Sequence, residues 1–188
     1  MFPMRLLNFQ AENKQMHIEM NQLKVVASMD GLTGISNKTT ALKLIQQRIA
    51  KGGAFFIIDI DNFKNINDTY GHKKGDSVIK TISDAVKESF RENDIVARFG
   101  GDEFIVFLQK EYATRSLVKK KASELCRNCR KLVSADEKDS CYVTISVGVA
   151  FFSANSNLEF RDIFESADRS LYESKNAGKN RYTIHELY

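Results

Sequence analysis

Acidic residues gather at two places in this sequence. Asp59 and Asp61 close the apolar run from Ala54 to Ile58, and Asp102 and Glu103 follow the pair Gly100-Gly101. Alternate residues of a strand project to one side, so Asp59 and Asp61 would share a face. Carboxylates brought to one sheet edge repel each other unless a cation neutralises them, and an oxygen-rich, thiol-free donor set suits Mg2+ or Mn2+. A single strand-end Asp is ordinarily just solvated; two clusters on neighbouring elements are harder to explain that way. Directly after the first cluster come Asn62-Phe63-Lys64-Asn65-Ile66-Asn67-Asp68, then Gly71-His72 and Gly75-Asp76. Lys64 can counter phosphate charge, and a short helix starting there would offer free N–H groups to an anion. Asn67 and Asp76 suit the edge of a base. An amide donates and accepts, while a carboxylate accepts from two N–H groups at once, as on guanine N1 and N2. These residue types point to metal-assisted nucleotidyl transfer ahead of a structural module.

Such groups need elements that deliver them to one place. Ala54 to Ile60 reads as a central strand covered on both faces. Gly75 to Phe90 is helical, with Val78, Ile79, Ile82, Ala85 and Val86 on one face. Ile95 to Phe99 and Phe104 to Leu108 are strands joined across Gly100-Gly101-Asp102-Glu103, a hairpin signal. Val118, Ala122, Leu125, Cys126, Cys129 and Leu132 mark a second long helix, and Tyr142 to Phe152 a strand. The resulting β-α-β-β-α-β order is the ferredoxin-like, palm-type α+β core, an antiparallel sheet with the helices of that core on one face. It puts the strand of Asp59 beside the hairpin of Asp102. A helix over Thr39 to Ile49 precedes the core. A further helix (Phe160, Ile163, Phe164, Ala167, Leu171) and a short strand, Arg181 to His185, follow it.

Composition bounds the rest. The chain has 188 residues, 43% hydrophobic and 28% charged, with 28 Lys+Arg against 24 Asp+Glu. That is ordinary globular usage, one domain with a remainder. The net charge of +4 is too mild to argue for nucleic acid. No apolar run approaches the ~20 residues of a membrane span, and no signal peptide opens the sequence. Three cysteines do not make a disulfide framework, so a cytoplasmic location is the expectation. The remainder lies at residues 1–29. With Leu6 at heptad position a, Asn13, Met20 and Ala27 fall at a, and Phe9, Met16 and Leu23 at d. This suits a dimerising helical stalk ahead of a domain at 30–188; a lone amphipathic helix packed on its own domain is the alternative.

Arg98-Phe99-Gly100-Gly101-Asp102-Glu103-Phe104 resembles the signature of the GGDEF-domain diguanylate cyclases. The similarity runs over about residues 28–185. Asp30-Gly31-Leu32-Thr33 with Asn37 resembles the family's opening motif, and Asp59 through Asp76 its metal and guanine segment. Thr144 to Val149 resembles its fourth strand, and Ala167-Asp168, Leu171-Tyr172 and Lys175 through Asn180 its C-terminal helix and turn.

The resemblance implies two facing copies of the chain, a homodimer, joining two GTP into cyclic di-GMP with release of two pyrophosphates. By it, Asp59, the Ile60 carbonyl and Asp102 would hold two divalent ions, with Glu103 beside them, and Asp102 or Glu103 would assist deprotonation of the 3′-hydroxyl. Gly100 and Gly101 would let backbone approach the nucleotide. Phe63, Lys64, Lys175 and Lys179 would serve the phosphates, and Asn67 and Asp76 would read guanine. Arg91-Glu92-Asn93-Asp94 resembles the family's Arg-x-x-Asp inhibitory site, so Arg91 and Asp94 would bind product. Lys38 and Lys179 depart from the family pattern, which has Arg at both places; Lys keeps the charge and loses the bidentate fork. A catalytically inactive effector that binds GTP or cyclic di-GMP is the alternative. Cys126 and Cys129 fall on the apolar stripe of a helix and read as buried thiols rather than half a zinc site.

Overall fold

The structure is a computed structural model and describes residues 14–16, 19–20, 23, 25–109, 111, 113–133, 141–154 and 158–187. In chain order the elements are β1 (Ser36–Asn37), α1 (Lys38–Arg48), a 3-10 turn (Ile49–Lys51), β2 (Gly53–Ile60), α2 (Phe63–Tyr70) and α3 (His72–Ser89). Then follow β3 (Ile95–Gly100), β4 (Glu103–Gln109), α4 (Arg115–Asn128), β5 (Lys131–Val133), β6 (Cys141–Val143), β7 (Ile145–Phe152), α5 (Phe160–Asn176) and β8 (Tyr182–Leu187).

Six strands form one sheet in the order β1-β3-β4-β2-β7-β8. Its four inner strands pair antiparallel, which is the expected βαββαβ core; β1 and β8 are added at the edges in parallel. All eight residues of β2 are buried. Alternation sends Phe55 and Ile57 to one face, where α1 and α5 supply Ala41, Ile45, Ile163 and Ala167. Ala54, Phe56 and Ile58 go to the other, against Val78, Ile82 and Val86 of α3 and Val118 and Leu125 of α4. The helices of the split βαβ core thus share one face, and the two added helices cover the second. Gly148 makes the α5 contact possible. A Cβ there would stand 2.1 Å from the Ala167 carbonyl oxygen and 2.2 Å from the Leu171 nitrogen.

Several boundaries differ from the sequence reading, three of them by enough to matter for the site or the sheet. The third-segment helix starts at His72, three residues ahead of Gly75, because Gly71 (φ 80) separates it from α2. The helix expected to reach Leu132 ends at Asn128, and Leu132 instead pairs with Tyr142 in a separate two-stranded sheet. The strand expected from Tyr142 to Phe152 is therefore two strands, broken at Thr144, whose hydroxyl and carbonyl both bond to Asp61. Cys126, Cys129 and Cys141 are buried free thiols, and burial pushes Cys126 and Cys129 up to about 12, as expected for inert core residues.

Described residues between 14 and 28 are helical, with Met16 62%, Met20 41% and Leu23 70% exposed. These apolar side chains do not pack on the domain. Leu6, Phe9 and Asn13 of the heptad lie outside the described residues. Among the described residues, no helix is long and apolar enough to cross a membrane.

Candidate active site

Antiparallel register sets the centre of the site. Asp59 at the end of β2 pairs with Glu103 at the start of β4, and the Ile60 N–H donates to the Asp102 carbonyl at 3.3 Å. Lys175, in the last turn of α5, puts its ammonium 2.8 Å from Asp59 Oδ2. Burial raises the Asp59 pKa, the Lys175 bond and charge oppose it, and Asp102 and Asp61 add repulsion. Glu103 is also raised, by burial first and then by Asp59 and Asp102. The two acidic clusters, separate in sequence, are therefore one electrostatic group with the Lys175 ammonium against it.

Asp61 is spoken for. Its carboxylate accepts from Thr144 Oγ1 (2.6 Å), Ser146 Oγ (2.6 Å) and the Asn180 N–H (3.0 Å). Chain direction then reverses at Asn62, in the left-handed region at φ 58, and α2 begins. Lys179 Nζ donates to Asn62 Oδ1 across this gap. α2 starts without a side-chain cap, so its first-turn N–H groups are open, with Lys64 on that turn and Lys179 bonded to the residue before it.

Asn67 faces Gly75 where α2 packs on α3. Its Oδ1 is buried without a hydrogen-bond partner, and a Cβ on Gly75 would lie 1.9 Å from that oxygen. Asp76 is exposed at the next position of α3. Phe63 is half-buried, its ring edge against Gly75.

At the hairpin tip, Gly101 adopts φ +45, and a Cβ on Gly100 or Gly101 would meet nothing within 4 Å. The tip is held from behind. Arg98 donates to the Gly101 carbonyl from Nε (3.0 Å) and Nη2 (2.7 Å), and its Nη1 pairs with Asp30 at 3.3 Å. Burial works to raise Asp30, yet the Thr33 hydroxyl and amide bonds with the Arg98 charge hold it below its ordinary value. A register shift between Arg98 and Gly100 turns Phe99 onto Phe164, 5.5 Å between centroids, and Lys38 Nζ lies 3.9 Å above that ring. Residue types alone gave no role to Arg98 or Asp30; the signal for them was their place in the two motifs that carry the family resemblance.

Arg91 and Asp94 sit at the opposite end of β3, roughly 17 Å away at 3.3 Å per residue. The Arg91 N–H donates to Asp94 Oδ2 at 2.9 Å. Both line a cleft of about 830 Å3 with Met29, Leu44, Arg48 and Phe90. The structure does not bring them to the carboxylate centre.

The donors at that centre are oxygen alone, and their mutual repulsion favours a cation. Among the described residues, no three His, Cys, Asp or Glu side chains converge as a closed metal cage.

The family model described as diguanylate cyclase, GGDEF domain, matches residues 27–181. The chain is 43% identical over 138 residues to diguanylate cyclase A of Treponema denticola, covering 70% of this chain and 34% of that protein. It is 30% identical over 177 residues to diguanylate cyclase DgcS of Shewanella oneidensis, covering 89% and 56%. The chain therefore spans about a third and about half of those relatives. The solved coiled coil and GGDEF domain of DgcB from Caulobacter crescentus, in complex with c-di-GMP, superposes with a TM-score of 0.87 at 26% identity, covering 96% of this chain and 97% of that one.

Proposed function

This chain belongs to the GGDEF-domain family of diguanylate cyclases, and on that premise we propose that it condenses two GTP molecules into cyclic di-GMP and two pyrophosphates. The observation that carries the proposal is the pairing of Asp59 with Glu103 beside Lys175, adjoining the open start of α2 and the unsatisfied Asn67 amide. In each of the two steps a 3′-oxygen forms a bond to the partner nucleotide's α-phosphorus. The bond to the bridging oxygen of pyrophosphate breaks, and its electron pair leaves with that group.

Lys64, Lys175 and Lys179 hold the phosphates, with the α2 N–H groups as further donors and Phe63 packed beneath. Asn67 and Asp76 read guanine; Asp76 as an acceptor-only group disfavours adenine, which has no donor at N1. Asp102 or Glu103 assists deprotonation of the attacking hydroxyl; burial and its acidic neighbours raise the Glu103 pKa, which suits it to accept a proton. Asp59, Asp102 and the Ile60 carbonyl would hold two Mg2+ or Mn2+, which supply charge neutralisation at the α-phosphate and activation of the hydroxyl. Gly100 and Gly101 keep the tip open to the nucleotide, consistent with the empty space beside each. Because one domain holds one GTP, the active species is a homodimer. Residues 1–29 act as the stalk that assembles it and 30–188 as the catalytic domain; the exposed Met16, Met20 and Leu23 support this division. Arg91 and Asp94, in their separate cleft, bind the cyclic di-GMP product and inhibit.

The test is incubation with GTP and Mg2+ and chromatographic detection of cyclic di-GMP across protein concentrations. The expected result is product from GTP and not ATP, at a rate rising more steeply than linearly. Tight cyclic di-GMP binding without turnover would make the chain an effector instead.

A further inference from the structure

We propose that Asp61 is a positioning residue that holds the turn Gly178–Asn180 and the start of α2 in place beneath the nucleotide triphosphate, a step that rests on the GTP reading above. By strand alternation Asp61 belongs with Asp59 as one more carboxylate for a cation. Its surroundings assign it otherwise. It is 5% exposed, and its two oxygens take donors from β7 (Thr144 and Ser146 hydroxyls) and from the backbone of Asn180. Its own N–H donates to the Thr144 carbonyl at 2.9 Å. A carboxylate so satisfied serves the protein's own donors.

What it fixes is costly backbone. Among the described residues, the non-glycine positions with positive φ are Asn62 (58), Lys179 (62) and Asn180 (49). Two of them adjoin Asp61, Asn62 through the peptide bond and Asn180 through its N–H bond to the carboxylate, and Lys179 immediately precedes Asn180. Side-chain residues persist in this region only where their surroundings over-determine it, and such places cluster at functional sites. Lys179 closes the loop by donating its ammonium to Asn62. Its backbone N–H bonds the Ser174 carbonyl, so the turn also finishes α5, on which Lys175 stands. Lys175 and Lys179 therefore reach the phosphate end because one carboxylate ties β2, β7 and the C-terminal turn together.

Two readouts on the full chain test this. In amide hydrogen exchange, Asp61→Asn should accelerate residues 177–181 by about tenfold or more while β2 and β7 keep their protection, since opening would be local. In binding to 3′-deoxy-GTP, which lacks the attacking hydroxyl, and to GMP, the variant should lose roughly tenfold for the triphosphate and under about twofold for GMP, the scale of one hydrogen bond to a charged group. Lys179→Met should produce a similar selective loss, and the double variant should lose less than the sum of the two single losses. Ser146→Ala, a smaller change, should shift the ratio in the same direction and carries the comparison if Asp61→Asn does not fold. Equal losses for both nucleotides, additive losses, or an unaltered turn would overturn the proposal. Failure of the unmodified chain to bind 3′-deoxy-GTP would instead overturn the GTP reading, and the exchange measurement would still decide whether Asp61 holds the turn.

Discussion

Gly75→Ala should separate stability from base recognition. A Cβ at this position would lie 1.9 Å from Asn67 Oδ1, 3.0 Å from its Cγ and 3.1 Å from Phe63 Cζ. Restoring an ordinary van der Waals separation requires the amide to move by about 1.5 Å. The obstacle is the end of a side chain, so the move costs about 0.5–1.5 kcal/mol of rotamer strain. Against it stands the gain of about 0.8–1 kcal/mol from replacing glycine by alanine inside α3. The two nearly cancel, and the melting temperature should stay within about 4 °C of the parent. The displaced amide no longer faces the base, however, and losing its bonds should weaken GTP by about tenfold to a hundredfold. Thermal unfolding and titration with 3′-deoxy-GTP measure the two effects on one preparation. Unchanged stability with unchanged affinity would refute the assignment of Asn67 to the base. A drop in melting temperature far beyond that range would refute the argument that the amide is free to move.

Gly148→Ala is the contrasting case, because its Cβ would meet α5 backbone at 2.1–2.8 Å, and destabilisation of about 3 kcal/mol or more should appear in urea unfolding; an unmoved midpoint would contradict the close approach of α5 to β7. Glu103 has a raised folded pKa, so its favourable contribution exists below the ordinary carboxylate range and is lost as pH rises through the raised value. Glu103→Gln should therefore raise the melting temperature at neutral pH and do nothing near pH 3, and an equal effect at both would count against the carboxylate cluster. Asp30 is lowered, so the sign reverses: its stabilisation is present at neutral pH and lost on acidification, and Asp30→Asn should lower the neutral melting temperature while the difference shrinks in acid. Arg91→Ala should raise the cyclic di-GMP concentration for half-inhibition by about tenfold or more, the worth of a charged hydrogen bond; unchanged product sensitivity would remove Arg91 and Asp94 from regulation.

Periodicity made the core legible because burial imposes it directly. The full burial of β2, the buried stripe of α3 and the hairpin across Gly100-Gly101 follow from residue spacing alone. The placing of the Asp59 strand beside the Asp102 hairpin was legible too, since βαββαβ order fixes which strands are neighbours, although the residue in register with Asp59 is Glu103. What local spacing could not reveal was partnership over distance. The partners of Asp61 lie 83 to 119 residues away, so a strand-alternation rule saw a free carboxylate where the fold has an occupied one. Thr144 broke a strand for the same reason, its hydroxyl and carbonyl being drawn off by Asp61. Leu132 fitted the stripe of α4 by spacing, yet Cys129 closes the helix and Leu132 finds Tyr142 as a cross-strand partner. The family resemblance gave Lys175 to the phosphates; the structure pairs it with Asp59, a contact that needs the closing turn of α5 to be seen.

Asn37 has a mechanical consequence. Its Nδ2 donates to the Ala27 carbonyl at 2.7 Å and to Met29 at 3.4 Å, while its Oδ1 caps α1 by accepting from the Thr40 N–H. One residue further along, Asp30 grips Arg98, and Arg98 grips Gly101. Among the described residues, these bonds tie the end of the N-terminal helix to the hairpin tip without a break. A twist applied to that helix would therefore have a continuous path into the Gly100-Gly101 turn, much as a key turns a lock.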